Sequence, residues 1–143
     1  MIHQATQEIS NLFTMRDVKH RVEENGKQSY VEALFTNEHV RSVSVRFIST
    51  DENNDVAVRA SSFGCVVVPE DRRMAVMEVL NQLNGRFRFA KFCLRDDRSI
   101  SVEYDLAMRN TVDAIGTISR EIFSRFMNIL DEAYFPIMRA VLG

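Results

Sequence analysis

VLNQLNGRFRFAKFCLRDDRSISVEYDL, from Val79 to Leu106, decides the fold. It reads as a helix end, a stop at Asn84-Gly85, a strand, a charged turn at Asp96-Asp97-Arg98 and a second strand. In the second strand Ile100, Val102, Tyr104 and Leu106 alternate with Ser101, Glu103 and Asp105, which gives one buried and one wet face. The first strand, Phe87 to Leu94, changes parity. Phe87 and Phe89 share one side, and Ala90, Phe92 and Leu94 share the other, so either a bulge sits near Phe89 or both faces are covered.

Working toward the N-terminus, Pro69 opens the helix, because its fixed φ suits the first turn and its missing N–H would be unpaired there anyway. Glu70 and Asp71 complement the positive end of the helix dipole. Val76, Met77, Leu80 and Leu83 are expected to line the buried face. Before it, Val56, Val58 and Ala60 lie on one strand parity and Phe63, Cys65 and Val67 on the other, which predicts a β-bulge at Ser61 to Gly64. The cluster Asp51 to Asp55 turns the chain after a strand from about Arg41 to Ser49. A hairpin precedes that, with Asn25-Gly26 expected at the centre of a type I′ turn. A first helix, about Gln4 to Met15, carries Ala5, Ile9, Leu12 and Phe13 on one stripe.

Toward the C-terminus a long helix runs from about Thr111 to Leu142. Ile115, Ile118, Ile122, Phe126, Ile129, Ala133 and Ile137 form one stripe. Phe123, Met127, Leu130, Tyr134, Met138 and Val141 form a second, and together they exceed the width of one sheet contact. Pro136 is expected to kink this helix after Phe135. The order α-β-β-β-β-α-β-β-α, with short hairpins and no βαβ alternation, predicts an α+β domain over residues 1–143 with a mainly antiparallel sheet and helices packed on it.

A chain of 143 residues with 45% hydrophobic and 27% charged residues has an ordinary globular composition. A net charge of −2 supplies no global field for nucleic acid or anionic membrane. No apolar run reaches the roughly 20 residues needed to cross a bilayer, and MIHQATQEISNLF lacks the features of a signal peptide. Cys65 and Cys93 fall in apolar strand patterns and read as buried reduced thiols, so a cytoplasmic protein is expected.

The search for chemistry returns no catalytic, cofactor or metal site. His3, His20 and His39 are far apart and read as surface or edge histidines. Asp51, Asn53 and Asp55 begin like an EF-hand loop, but Val56 replaces the required glycine and Ser62 the bidentate Glu. Asp96 and Asp97 are turn formers, and no serine has a nucleophile-elbow context. With 5 glycines there is no phosphate-cradling loop. Gly85 to Phe92 carries Phe87, Phe89 and Phe92 interleaved with Arg86, Arg88 and Lys91, an aromatic spacing shared with RNA-binding strands. Its small and basic positions do not fit, and a half-buried strand explains the alternation equally well.

Residues 66–106 resemble the YbjN-like proteins, described as bacterial sensory transduction regulators. The motifs are Pro69, Leu83-Asn84, the basic-aromatic strand Phe89 to Phe92, Asp96-Asp97 and Tyr104-Asp105-Leu106; Ala90 departs from the glycine often found there. The resemblance implies a type III secretion chaperone-like fold, often a homodimer, and brings no catalytic residue. The expected function is therefore a non-enzymatic, dimeric, chaperone-like or regulatory module that binds another protein. Its candidate surface is the outer part of the last helix (Phe123, Met127, Tyr134, Met138) together with Arg86, Arg88 and Lys91. The alternative is a small-ligand- or nucleic-acid-binding regulator using the Arg/Phe strand over residues 86–92.

Overall fold

The computed structural model describes residues 2–36, 38–40, 43–49, 55–107 and 115–143, with the side chains of the last helix described from residue 121. Helix α1 (Gln4–Met15) leads into strands β1 (His20–Asn25), β2 (Gln28–Phe35), β3 (Val43–Ser49) and β4 (Val56–Ala60). Helix α2 (Arg73–Arg86), strands β5 (Lys91–Leu94) and β6 (Ile100–Leu106), and helix α3 (Ile115–Leu142) follow. The strands form one six-stranded antiparallel sheet in the order β1-β2-β3-β4-β6-β5. This is the expected α+β architecture. The turn read at residues 51–54, the start of β3 at Arg41 and the start of the last helix at Thr111 lie outside the described residues, as do the side chains of Ile115 and Ile118.

Strand periodicity places the core. Ala33, Val45, Ala60, Val102 and Phe92 form one row across the sheet, and Val31, Phe47 and Val58 the next. All are buried in one contiguous core with Ala5, Ile9 and Phe13 of α1, Val76, Leu80 and Leu83 of α2, and Phe126, Leu130 and Ile137 of α3. The three helices therefore cover one face of the sheet. The other face carries Arg21, Glu32, Arg46, Arg59, Glu103 and Lys91. At the start of α1, the Ser29 hydroxyl accepts the His3 N–H at 2.9 Å and bonds the buried Thr6 hydroxyl at 2.7 Å, tying the helix to β2.

Several local expectations change. The β1–β2 turn consists of Gly26 and Lys27, since Asn25 still pairs with Gln28. Gly26 alone takes positive φ (62°), which is the sign pattern of a type II′ turn rather than I′. The bulge expected at Ser61 to Gly64 is instead the end of β4, followed by one 3₁₀ turn (Phe63–Cys65); Ser62 just before it, Gly64 and Cys65 all have positive φ. That turn buries Phe63 and leaves Cys65 exposed; Cys93, on the helix-free face of β5, is half-buried. Neither thiol is the buried core residue expected. Met77 is 44% exposed, because it follows Val76 around the helix, away from the contact stripe Val76, Leu80 and Leu83. Helix α3 contains Pro136 and runs through it to Leu142.

Helix α2 does not stop at Gly85 but closes its last turn with the Phe87 N–H on the Leu83 carbonyl. The parity change in the next segment is made by Phe89, at φ 75°, with the Ala90 N–H bonded to the Arg88 carbonyl in a γ-turn. Only Lys91 to Leu94 then pairs as β5. Its outer edge is closed by Asn84 of α2, whose Oδ1 accepts the Phe92 N–H at 2.7 Å and whose Nδ2 donates to the Phe92 carbonyl at 3.0 Å. Lys91 Nζ caps the helix end through the Asn84 and Phe87 carbonyls. Asn84→Ala is expected to lower unfolding free energy by about 1–3 kcal/mol, with Asn84→Asp intermediate because it keeps only the acceptor. Urea denaturation of the three proteins checks this ordering.

Candidate functional site: the open face of the sheet

The helix-free face presents one continuous transverse row, Arg21–Glu32–Arg46–Arg59–Glu103–Lys91, each residue directly opposite the next on the adjacent strand. Side chains opposite one another on a sheet face lie close enough to pair. Glu32 is the hub at one end, bonded by the guanidinium groups of both Arg21 (2.9 Å) and Arg46. Arg46 also covers the Tyr30 ring at 4.8 Å. Arg46 and Arg59 are like charges in register, and each is drawn away from the other. Arg59 pairs with Asp105 at 2.7 Å and donates to the Val58 and Tyr104 carbonyls. Glu103 is met by Arg95 at 3.4 Å. Beside this row stand Leu34, 66% exposed, and the half-buried Ile48 and Ala57.

Burial on the sheet would raise the Glu32 carboxyl. The hydrogen bonds and charges of Arg46 and then Arg21 outweigh that and hold it below the usual carboxylate range. Asp97, in the β5–β6 turn, is also lowered, chiefly by the Ser99 hydroxyl and N–H that it accepts at 2.6 and 2.9 Å. Burial raises the Tyr104 phenol.

The candidate residues from the sequence do not assemble into one surface. Met127 is buried, and the Phe123 ring is 4.1 Å from Phe35 and within 6.5 Å of Phe13 and Phe47. Tyr134 packs on Phe63 and Phe135, and Met138 Sδ lies 3.4 Å from where a Cβ on Gly64 would sit. The second stripe of α3 is thus used inside the chain, because α1 and α2 flank α3 and the Phe63 turn rises against it. The helix–sheet contact alone does not set how wide a buried face must be. Arg86 pairs with Glu132 at 3.2 Å, Lys91 is committed to helix carbonyls, and Arg88 is exposed. Phe87 packs on Phe92 and Phe89 on Tyr104, so the three aromatics form no free stacking platform. A cleft of about 550 Å³ between α2 and α3 is lined by Arg72, Glu78, Arg86 and Arg139 and opens widely to solvent. Arg72 donates within it to the Ala140 carbonyl at 2.8 Å.

The sequence reading missed two features. The transverse row depends on the register between strands, which only the strand pairing brings out and no single strand's pattern contains. Likewise His39 and Asp131 lie far apart in sequence and meet in the fold. The Asp131 carboxylate accepts the His39 N–H at 2.9 Å and lies 3.8 Å from His39 Nε2, with a Glu38 oxygen within 4.8 Å of both groups. This holds the β2–β3 connection against α3.

Two expectations follow. Phe123→Ala should destabilise the fold by about 2–3 kcal/mol by opening a cavity beside Phe35, which thermal or urea unfolding reads directly. Glu32, with its folded pKa lowered, stabilises the protein above the ordinary carboxylate pKa of about 4.3, and this is lost as pH falls through the lower folded value. Wild-type stability should therefore fall more steeply than that of Glu32→Gln as pH drops below about 5. Parallel pH curves would show that the Arg21–Glu32–Arg46 cluster is uncoupled from folding.

A comparison with curated proteins finds no match. A family model described as "Putative bacterial sensory transduction regulator" matches residues 7–132, which hold most of α1, all six strands, α2 and most of α3. The chain belongs to the YbjN family, with the Leu83-Asn84 pair and the Tyr104-Asp105-Leu106 strand end inside the matched region.

Proposed function

We propose that this chain is a non-enzymatic protein-interaction module of a bacterial regulatory system, chaperone-like in action, dimeric, and working in the cytoplasm. The observation that carries this reading is the helix-free sheet face with its register-aligned row of charges. A face of this kind suits a folded or extended protein partner. Arg21, Arg46 and Arg59 are interleaved with Glu32 and Glu103 and bordered by Glu23 and Asp105. Mixed signs favour a partner with its own alternating charges over a uniform polyanion such as nucleic acid. The free thiols Cys65 and Cys93 fit a reducing compartment, and among the described residues no helix is long and apolar enough to cross a membrane. The family description supports a regulatory role.

The test compares partner retention from host lysate by the immobilised wild-type protein, by Leu34→Glu plus Arg46→Glu on the open face, and by Met74→Glu on the exposed side of α2. A single stoichiometric protein retained by wild type and Met74→Glu, and reduced at least about tenfold by the face variant, is expected. Equal retention by all three, or no stoichiometric protein partner, overturns the reading.

A further inference from the structure

The β2–β3 connection meets α3 at three metal-ligating side chains. Glu38, His39 and Asp131 each place one donor atom within 4.8 Å of the others. Asp131 stands on α3, 92 residues from His39, so no sequence spacing announces the group. One aspartate oxygen, Oδ1, accepts the His39 backbone N–H at 2.9 Å. The other, Oδ2, faces His39 Nε2 at 3.8 Å, beyond hydrogen-bond reach. Among the described residues, no lysine or arginine is paired with Glu38 or Asp131.

That separation suits an ion held between the two side chains. Donor atoms about 2.1 Å from a tetrahedral ion stand about 3.4 Å from each other, so Nε2 and Oδ2 need only a small further approach. Glu38 is exposed and can close the remaining gap by rotating its side chain. His39 and Asp131 are half-buried and already oriented. The imidazole packs on the Phe135 ring at 4.7 Å between centroids, and the Oδ1 bond fixes the aspartate plane. Ligating carboxylates are themselves commonly held by a hydrogen bond of this kind. The donor set narrows the ion: an imidazole nitrogen with two carboxylates suits zinc and its first-row neighbours, whereas magnesium and calcium take oxygen ligands.

We propose that Glu38, His39 and Asp131 form a zinc site. His39 Nε2, Asp131 Oδ2 and one Glu38 carboxylate oxygen are the protein ligands, and water takes the fourth position. The ion clips the β2–β3 connection to α3, adding to the bond that Asp131 already makes to the His39 backbone. The site stands apart from the interaction surface proposed above, since α3 packs on the other face of the sheet.

Isothermal titration of the full chain with zinc chloride tests this, alongside thermal melts in zinc, in magnesium and in EDTA. Wild type should bind one zinc with a Kd of about 10 μM or tighter. Zinc, but not magnesium, should raise its Tm above the value in EDTA. Glu38→Gln and Asp131→Asn should each weaken zinc binding about tenfold or more and lose the zinc-dependent rise in Tm. Asparagine at 131 keeps an oxygen for the His39 N–H, so that variant retains the structural contact and loses the charge. Cys65→Ser with Cys93→Ser should leave the affinity unchanged, which separates this site from the free thiols. A wild type that binds no zinc at about 100 μM, an affinity unchanged in either carboxylate variant, or an affinity lost with the thiols overturns the site. Glu38 is exposed, so Glu38→Gln decides the matter should Asp131→Asn fail to fold.

Discussion

The carboxamide of Asn84 gives the N–H and C=O of Phe92 the partners that a further strand would supply. Much of the arrangement depends on these two bonds. They dock the end of α2 against the start of β5, and so bring Lys91 onto the last carbonyls of the helix. They also finish the β5 edge of the sheet with a side chain. An asparagine suits this position because its amide carries one donor and one acceptor at the spacing of a peptide group. An acid or an amine would satisfy only half of the edge.

The second organising constraint is one-sided burial. All three helices lie on the face carrying Val31, Phe47, Val58 and Val102, and α3 is wedged between α1 and α2. That wedge accounts for the apolar width of α3, which turns toward Phe35 and Phe47 through Phe123 and toward Phe63 through Tyr134. Interaction potential therefore moves to the other side of the sheet. There the charges are not a scattered solvated surface but a row in which Glu32 and Glu103 sit between cations, and the adjacent Arg46 and Arg59 are held apart by different acids.

The element order, the strand parities and the first helix were legible because each rests on a local period of 2 or 3.6 residues. Pro69, Asn25-Gly26 and Asp96-Asp97 were legible as punctuation, although the exact turn at Gly26 was not, since turn type depends on how far the ladder extends. The misread places share one cause. From Ala60 to Cys65 and from Gly85 to Ala90, apolar residues switch parity, and the sequence pattern cannot separate a bulged strand from a strand end followed by positive-φ residues. Burying Phe63 against Tyr134 and Phe92 favours the 3₁₀ turn. Binding of Phe92 by Asn84 leaves Phe89 to absorb the change in a γ-turn.

By itself, then, the sequence determined the α+β class, the antiparallel hairpins, which residues of each strand are apolar, and the motifs that resemble the family. These follow from hydrophobic periodicity and backbone stereochemistry, which act over a few residues. Only the tertiary structure decided that the wide face of α3 is interior, that Arg86 and Lys91 are bound within the chain, that Arg21 to Lys91 align into one row, and that Asn84 clasps the β5 edge of the sheet. Those depend on strand register and helix placement, set by contacts between residues far apart in the chain, which no local pattern encodes.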